Sequence, residues 1–126
     1  MEINPVPSSD RQYVQRYAVG TFRVSGVDFS GSIIVFPERT RNWPVQRFED
    51  MDLEALASVF EAAPNPELLL IGCGKRGAMI AEPIRQALRA RKITFETMDT
   101  GAACRTYNVL MSDGRRVAAA LIALQP

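Results

Sequence analysis

The sequence predicts an α/β layered domain with a largely parallel core, and three observations carry that prediction. Strand-length apolar runs alternate with helical stripes through the last two-thirds of the chain, as in strand–helix–strand units. Leu68-Leu69-Leu70-Ile71 is apolar without interruption, the pattern of a strand covered on both faces. The chain has 126 residues, 47% of them hydrophobic, enough apolar content for one packed domain over residues 1–126 and too much for disorder.

Residues 1–12, with Pro5, Pro7, Ser8 and Ser9, are expected to form a flexible arm. Residues 17–25 and 27–36 are rich in β-branched and aromatic side chains and read as an antiparallel hairpin turning at Gly26. Gly20 and Gly31 mark bulges or close backbone approaches. Residues 37–50, with Pro37 and Pro44, read as a surface connection carrying the only tryptophan, Trp43. Glu49, Asp50, Asp52 and Glu54 gather where a helix N-terminus favours acids. Leu53, Leu56, Ala57 and Phe60 then form one apolar stripe, and Pro64-Asn65-Pro66 ends that helix.

The strand at 68–71 runs into Gly72-Cys73-Gly74 and a loop to residue 82, with the next helix starting at Pro83 and burying Ile84, Ala87 and Leu88. Residues 93–98 read as a strand. A helix follows with Thr100 as its N-cap, Ala103, Tyr107 and Leu110 as its inner face and Gly114 as its closing residue. Residues 115–124 read as a last strand, giving the order β-β-α-β-α-β-α-β.

Several function classes fall away on composition. Fifteen basic and 14 acidic side chains leave a net charge of +1, too little for a polyanion-binding surface, so no nucleic-acid partner is expected. No apolar run nears the ~20 residues of a membrane span. The chain has no histidine, which removes the commonest zinc ligand and the usual acid–base group at neutral pH. No metal or cofactor is expected. Two cysteines and a start without basic-then-apolar organisation suit a reducing cytoplasm.

Gly72-Cys73-Gly74-Lys75-Arg76-Gly77 matches the dinucleotide pattern G-x-G-x-x-G, and Glu96 stands near the position of a ribose-binding acid. In a dinucleotide fold the helix begins inside the glycines, and Pro83 would then break it two turns in, at a cost of ~3 kcal/mol. The glycines are therefore read as a bend. If the strands at 68–71 and 93–98 are parallel neighbours, 72–77 and 99–105 share one crevice, with Gly72, Cys73, Gly74, Asp99, Thr100, Cys104 and Arg105 as candidate ligand-binding residues. A thiol-dependent enzyme, or a small-molecule or nucleotide binder, would use that crevice. Against it, Cys104 suits a small buried side chain, and Asp99 suits a capping role. Arg85, Arg89, Tyr107 and Asn108 are candidate partner-surface residues. The basic cluster Lys75, Arg76, Arg85, Arg89, Arg91 and Lys92 suits an acidic protein or an anionic membrane surface.

Met98-Asp99-Thr100, the run Ala103-Cys104-Arg105-Thr106-Tyr107-Asn108-Val109-Leu110, and Gly114-Arg115-Arg116-Val117 with Ala119-Ala120-Leu121-Ile122 resemble a known family. So do Phe29-Ser30-Gly31-Ser32-Ile33, the surroundings of Trp43 and Leu70-Ile71-Gly72-Cys73-Gly74, so that the resemblance covers most of residues 15–124. It is the family of small domains of uncharacterised function that includes the mitochondrial NADH:ubiquinone oxidoreductase (complex I) assembly factor 3. Cys73 departs from it, since members commonly carry threonine between the two glycines.

The resemblance implies a three-layer α/β domain, its mixed and mainly parallel central sheet flanked by helices and by an additional N-terminal β-hairpin layer. It carries over no catalytic residue. It implies a non-enzymatic interaction protein, with an assembly role on a respiratory or other multi-subunit complex and respiratory-complex subunits as expected partners. Cytoplasmic placement, peripheral attachment at the inner membrane and a homodimer complete the expectations.

Overall fold

The computed structural model describes residues 11–126, so the arm expected at 1–12 lies outside the described residues as far as residue 10. Gln12 itself is held, its main-chain N–H donating to Pro37 O at 2.9 Å. The strands are β1 (Val14–Ala18), β2 (Thr21–Val24), β3 (Val27–Ser30), β4 (Ile33–Val35), β5 (Thr40–Asn42), β6 (Leu68–Gly72), β7 (Thr94–Met98) and β8 (Val117–Leu121). The helices are α1 (Ala57–Glu61), α2 (Glu82–Ala90) and α3 (Thr100–Ser112).

The apolar runs find the centre. All five residues of β6 and all five of β8 are buried, and the two strands pair in parallel, with Leu70 opposite Ala119. β7 joins the other side of β6, also in parallel. β4 runs antiparallel to β8, and β5 antiparallel to β4, so the sheet has the order β5-β4-β8-β6-β7. Because side chains alternate along a strand, Leu68 and Leu70 point to one face and Leu69 and Ile71 to the other. The first face packs against α3 and the small sheet β1-β2-β3; the second packs against α1, α2 and the segment around Trp43. These are the three layers of a mixed α/β fold.

The N-terminal third departs from the expected two-strand hairpin. Gly20 and Gly31 adopt φ of +72° and +84°, a left-handed backbone that interrupts a strand, and each divides one expected strand into two. Gly31 N–H donates to Gly20 O at 2.8 Å, which brings the two breaks together. The hairpin about Gly26 does form, between β2 and β3, with Ser25 and Gly26 both at positive φ. β4 leaves that layer and enters the central sheet.

The connection at 37–50 is also more ordered than expected. It contains β5, and Trp43 is buried, its indole Nε1–H donating to Ala55 O at 2.7 Å. The helix expected from the acids onward is split into 3₁₀ turns at Phe48–Asp50 and Glu54–Leu56 followed by the five-residue α1. Leu53 is exposed, whereas Val59 takes the buried position with Leu56. The Asn65 side-chain amide then donates to the carbonyls of Val59, Phe60 and Ala62 at 3.3, 3.1 and 2.8 Å, closing the helix end.

Candidate functional site

Where β6 and β7 end, the chain turns to opposite faces, to α2 on one and α3 on the other. Parallel sheets usually bind ligands at such a point. α2 begins at Glu82 with proline in its first turn, so the glycines at 72–77 lie outside any helix. The bend expected there is present, with Gly74 at φ +96°.

The space between the two chain segments is filled. Thr100 is fully buried and makes three short bonds: its N–H donates to Gly74 O at 2.8 Å, its Oγ1 accepts from Gly74 N–H at 2.9 Å, and its hydroxyl donates to Ile122 O at 2.7 Å. Gly72 is small for the same reason: a Cβ there would stand 2.9 Å from Thr100 Cα. Cys73 N–H donates to Met98 O, and Ile122 N–H to Gly72 O, at 2.8 and 2.9 Å. Direct main-chain contact thus joins the two segments, and of the expected crevice residues Cys73 and Gly74 line the groove described below.

The N-cap of α3 is Asp99 rather than Thr100: its carboxylate accepts from Ala102 N–H at 2.9 Å. Thr100 turns inward instead, because its hydroxyl has two buried main-chain partners to serve. Cys104 is fully buried, and burial pushes its thiol up to about 12 despite the nearby Arg105 guanidinium. A thiol so protonated is no nucleophile at neutral pH. Cys73 is half-buried; burial also raises its thiol, opposed by the main-chain N–H of Ala78. Both cysteines are free.

Arg105 donates to the Tyr17 hydroxyl at 3.0 Å, tying α3 to β1. Tyr107 and Asn108 are buried against the same strand layer. The Tyr107 hydroxyl donates to Gln12 O at 2.8 Å. The Asn108 amide accepts from Val14 N–H at 3.0 Å and donates to Val14 O at 2.9 Å, standing in for the next strand beside β1. Both side chains are therefore spent within the fold rather than offered to a partner.

The basic cluster divides. Arg85 pairs with Glu82 at 2.8 Å and Arg89 approaches it at 3.9 Å, so the α2 face carries its own acid. Arg91 lies over the Phe60 ring at 4.5 Å. Lys75 and Arg76 sit elsewhere, on the wall of a groove of ≈ 550 Å³ at the ends of β6 and β8. Val19, Phe48, Cys73 and Leu124 also line it. Sequence reasoning missed Val19 and Leu124, which come together through a single parallel bridge across most of the chain's length. The only local hint was an apolar residue beside a strand-breaking glycine.

The fold and this filled switch point define a three-layer α/β domain in which helix and loop grip each other where an α/β enzyme would hold a ligand. The chain belongs to a family described as "Protein of unknown function (DUF498/DUF598)", whose pattern matches residues 14–122. It is 31% identical over 91% of its length to the NADH dehydrogenase [ubiquinone] 1 alpha subcomplex assembly factor 3 of Xenopus tropicalis, covering 63% of that protein. The chain thus spans about three-fifths of the length of such relatives. It is 35% identical over 86% of its length to an uncharacterized protein of Rhodobacter capsulatus, covering 82% of it. A crystal structure of a Bordetella parapertussis protein superposes with a TM-score of 0.83 at 39% identity, over 93% of this chain and 99% of that one. Among the described residues no helix is long and apolar enough to cross a membrane.

Proposed function

We propose that this chain is a non-enzymatic assembly factor that binds subunits of a respiratory complex of the complex I type. The observation that carries the reading is the 31% identity, over 91% of the chain, to a protein named as an assembly factor of NADH dehydrogenase. The geometry supports it from another side. Between the ends of β6 and β7, where a nucleotide binder or thiol enzyme would hold its ligand, Thr100 bonds Gly74 and Ile122, and Cys104 is buried.

The test is made in the native cell. Chemical crosslinking and capture of the tagged chain is expected to recover complex I subunits, and deletion of the gene to leave partly assembled complex on native gels. A deletion strain with fully assembled complex I, and captures free of its subunits, would overturn the reading.

A further inference from the structure

The groove beside the glycine loop has an apolar floor and a basic rim. Val19 is 55% exposed there, and Ile122, Ala123 and Leu124 continue the floor. Arg47, Lys75 and Arg76 stand around it with one acidic side chain, Glu49, which pairs with Arg47 at 3.7 Å, and with the terminal residue Pro126. Lys75 and Arg76 enter no ion pair among the described residues. The main-chain N–H groups of Lys75, Arg76 and Gly77 likewise donate to no acceptor among the described residues. Lys75, Arg76 and the loop N–H groups thus stand along the groove without an acidic side chain bonded to them among the described residues.

We propose that this groove takes a short acidic segment of a protein partner. An aliphatic side chain of the segment rests on Val19 and Leu124, and its flanking carboxylates meet Lys75, Arg76 and the loop amides. The proposal rests on the assembly-factor reading and names the surface and the kind of segment it would use. Charge complementarity selects the occupant, since exposed cations of this kind steer carboxylates and reject basic segments. The floor selects against nucleic acid, which stacks on exposed aromatic faces; the exposed floor here is aliphatic, and Phe48 is partly buried. A walled groove also suits a chain segment better than the flat face of a bilayer.

The test uses the full chain and a labelled synthetic peptide alternating leucine with glutamate, against the same peptide with lysine in place of glutamate. Fluorescence polarisation is expected to show binding of the acidic peptide alone, weakening as salt is added. The double variant Lys75→Glu/Arg76→Glu is expected to weaken it roughly tenfold or more. Arg41→Glu, on β5 and outside the groove, is expected to leave it unchanged. Should charge reversal impair folding, as judged by circular dichroism, Lys75→Gln/Arg76→Gln carries the same comparison with a smaller loss.

No binding of the acidic peptide, equal binding of the basic one, or indifference to both double variants overturns the proposal. So does binding to phosphatidylglycerol vesicles without binding to the peptide. Failure of the two readings is separable. Complex I subunits captured equally by wild type and the folded double variant sink the groove and leave the assembly role. Peptide binding that is lost in the double variant, without capture of any such subunit, does the reverse.

Discussion

Thr100 concentrates more of the fold in one side chain than any other polar residue at the switch point. Its buried hydroxyl holds the loop after β6 to the end of β8. Thr100→Val keeps the shape and removes the oxygen, stranding Gly74 N–H and Ile122 O. The expected cost is about 2–4 kcal/mol of unfolding free energy in urea titration, with Thr100→Ser recovering most of it. Equal stability of the valine variant would mean that the two main-chain groups find other partners. Little of this was legible from the residue alone. Thr100 after an aspartate reads equally as a cap, and only the fold, by presenting two buried main-chain groups, decides that Asp99 caps and Thr100 ties. Asn108 and Tyr107 were illegible for a related reason. Their partners Val14 and Gln12 lie 94 and 95 residues away, and no local pattern reports a bond at that distance.

At the scale of elements, α3 is capped at both ends by its own sequence. Asp99 accepts from Ala102 N–H at the start. At the finish Gly114, at φ +82°, donates to Met111 O while Arg115 N–H reaches Leu110 O, a Schellman closure. Asp99→Ala is expected to cost about 1 kcal/mol, and Asp99→Asn much less, measured as the shift in the urea midpoint. A neutral alanine variant would show that packing alone fixes the helix start.

The elements most legible in the sequence are those fixed by local physics. Leu68 to Ile71 had to be covered on both faces, and Pro83 had to fall in the first turn of its helix. The N-terminal strands were legible as strands but not as partners. β-propensity records a fit to a pleated surface without saying which sheet supplies it, so the residues of β4 read as part of a hairpin that β4 does not join. The helix after the acids was shortened by a contact with no local signature: Trp43 takes the Ala55 carbonyl that a longer helix would have used.

For the whole molecule, the buried thiol and phenol set the response to alkali. Burial holds Cys104 up at about 12 against an ordinary value of 9.0, and pushes Tyr107 in the same direction. Below the unfolded value both states keep the Cys104 proton, and its contribution to stability is fully present. Between roughly pH 9 and 12 only the unfolded chain ionises, so stability falls, with Cys104 alone accounting for roughly 4 kcal/mol when the loss is complete. Urea midpoints are expected to decline steadily above pH 9 and to decline less steeply in Cys104→Ala. A flat profile would mean that the folded protein ionises as readily as the unfolded one.

The central sheet places β8 between β4 and β6, although β8 is the last strand in the chain. During synthesis on the ribosome, the two segments that flank this slot emerge long before the strand that fills it. Until residues 117–121 have been made, β4 and β6 each present an unsatisfied main-chain edge to solvent or to a chaperone. A message broken or a stop codon placed before Val117 therefore yields not a slightly shorter protein but two sticky half-sheets, material for proteolysis rather than for function.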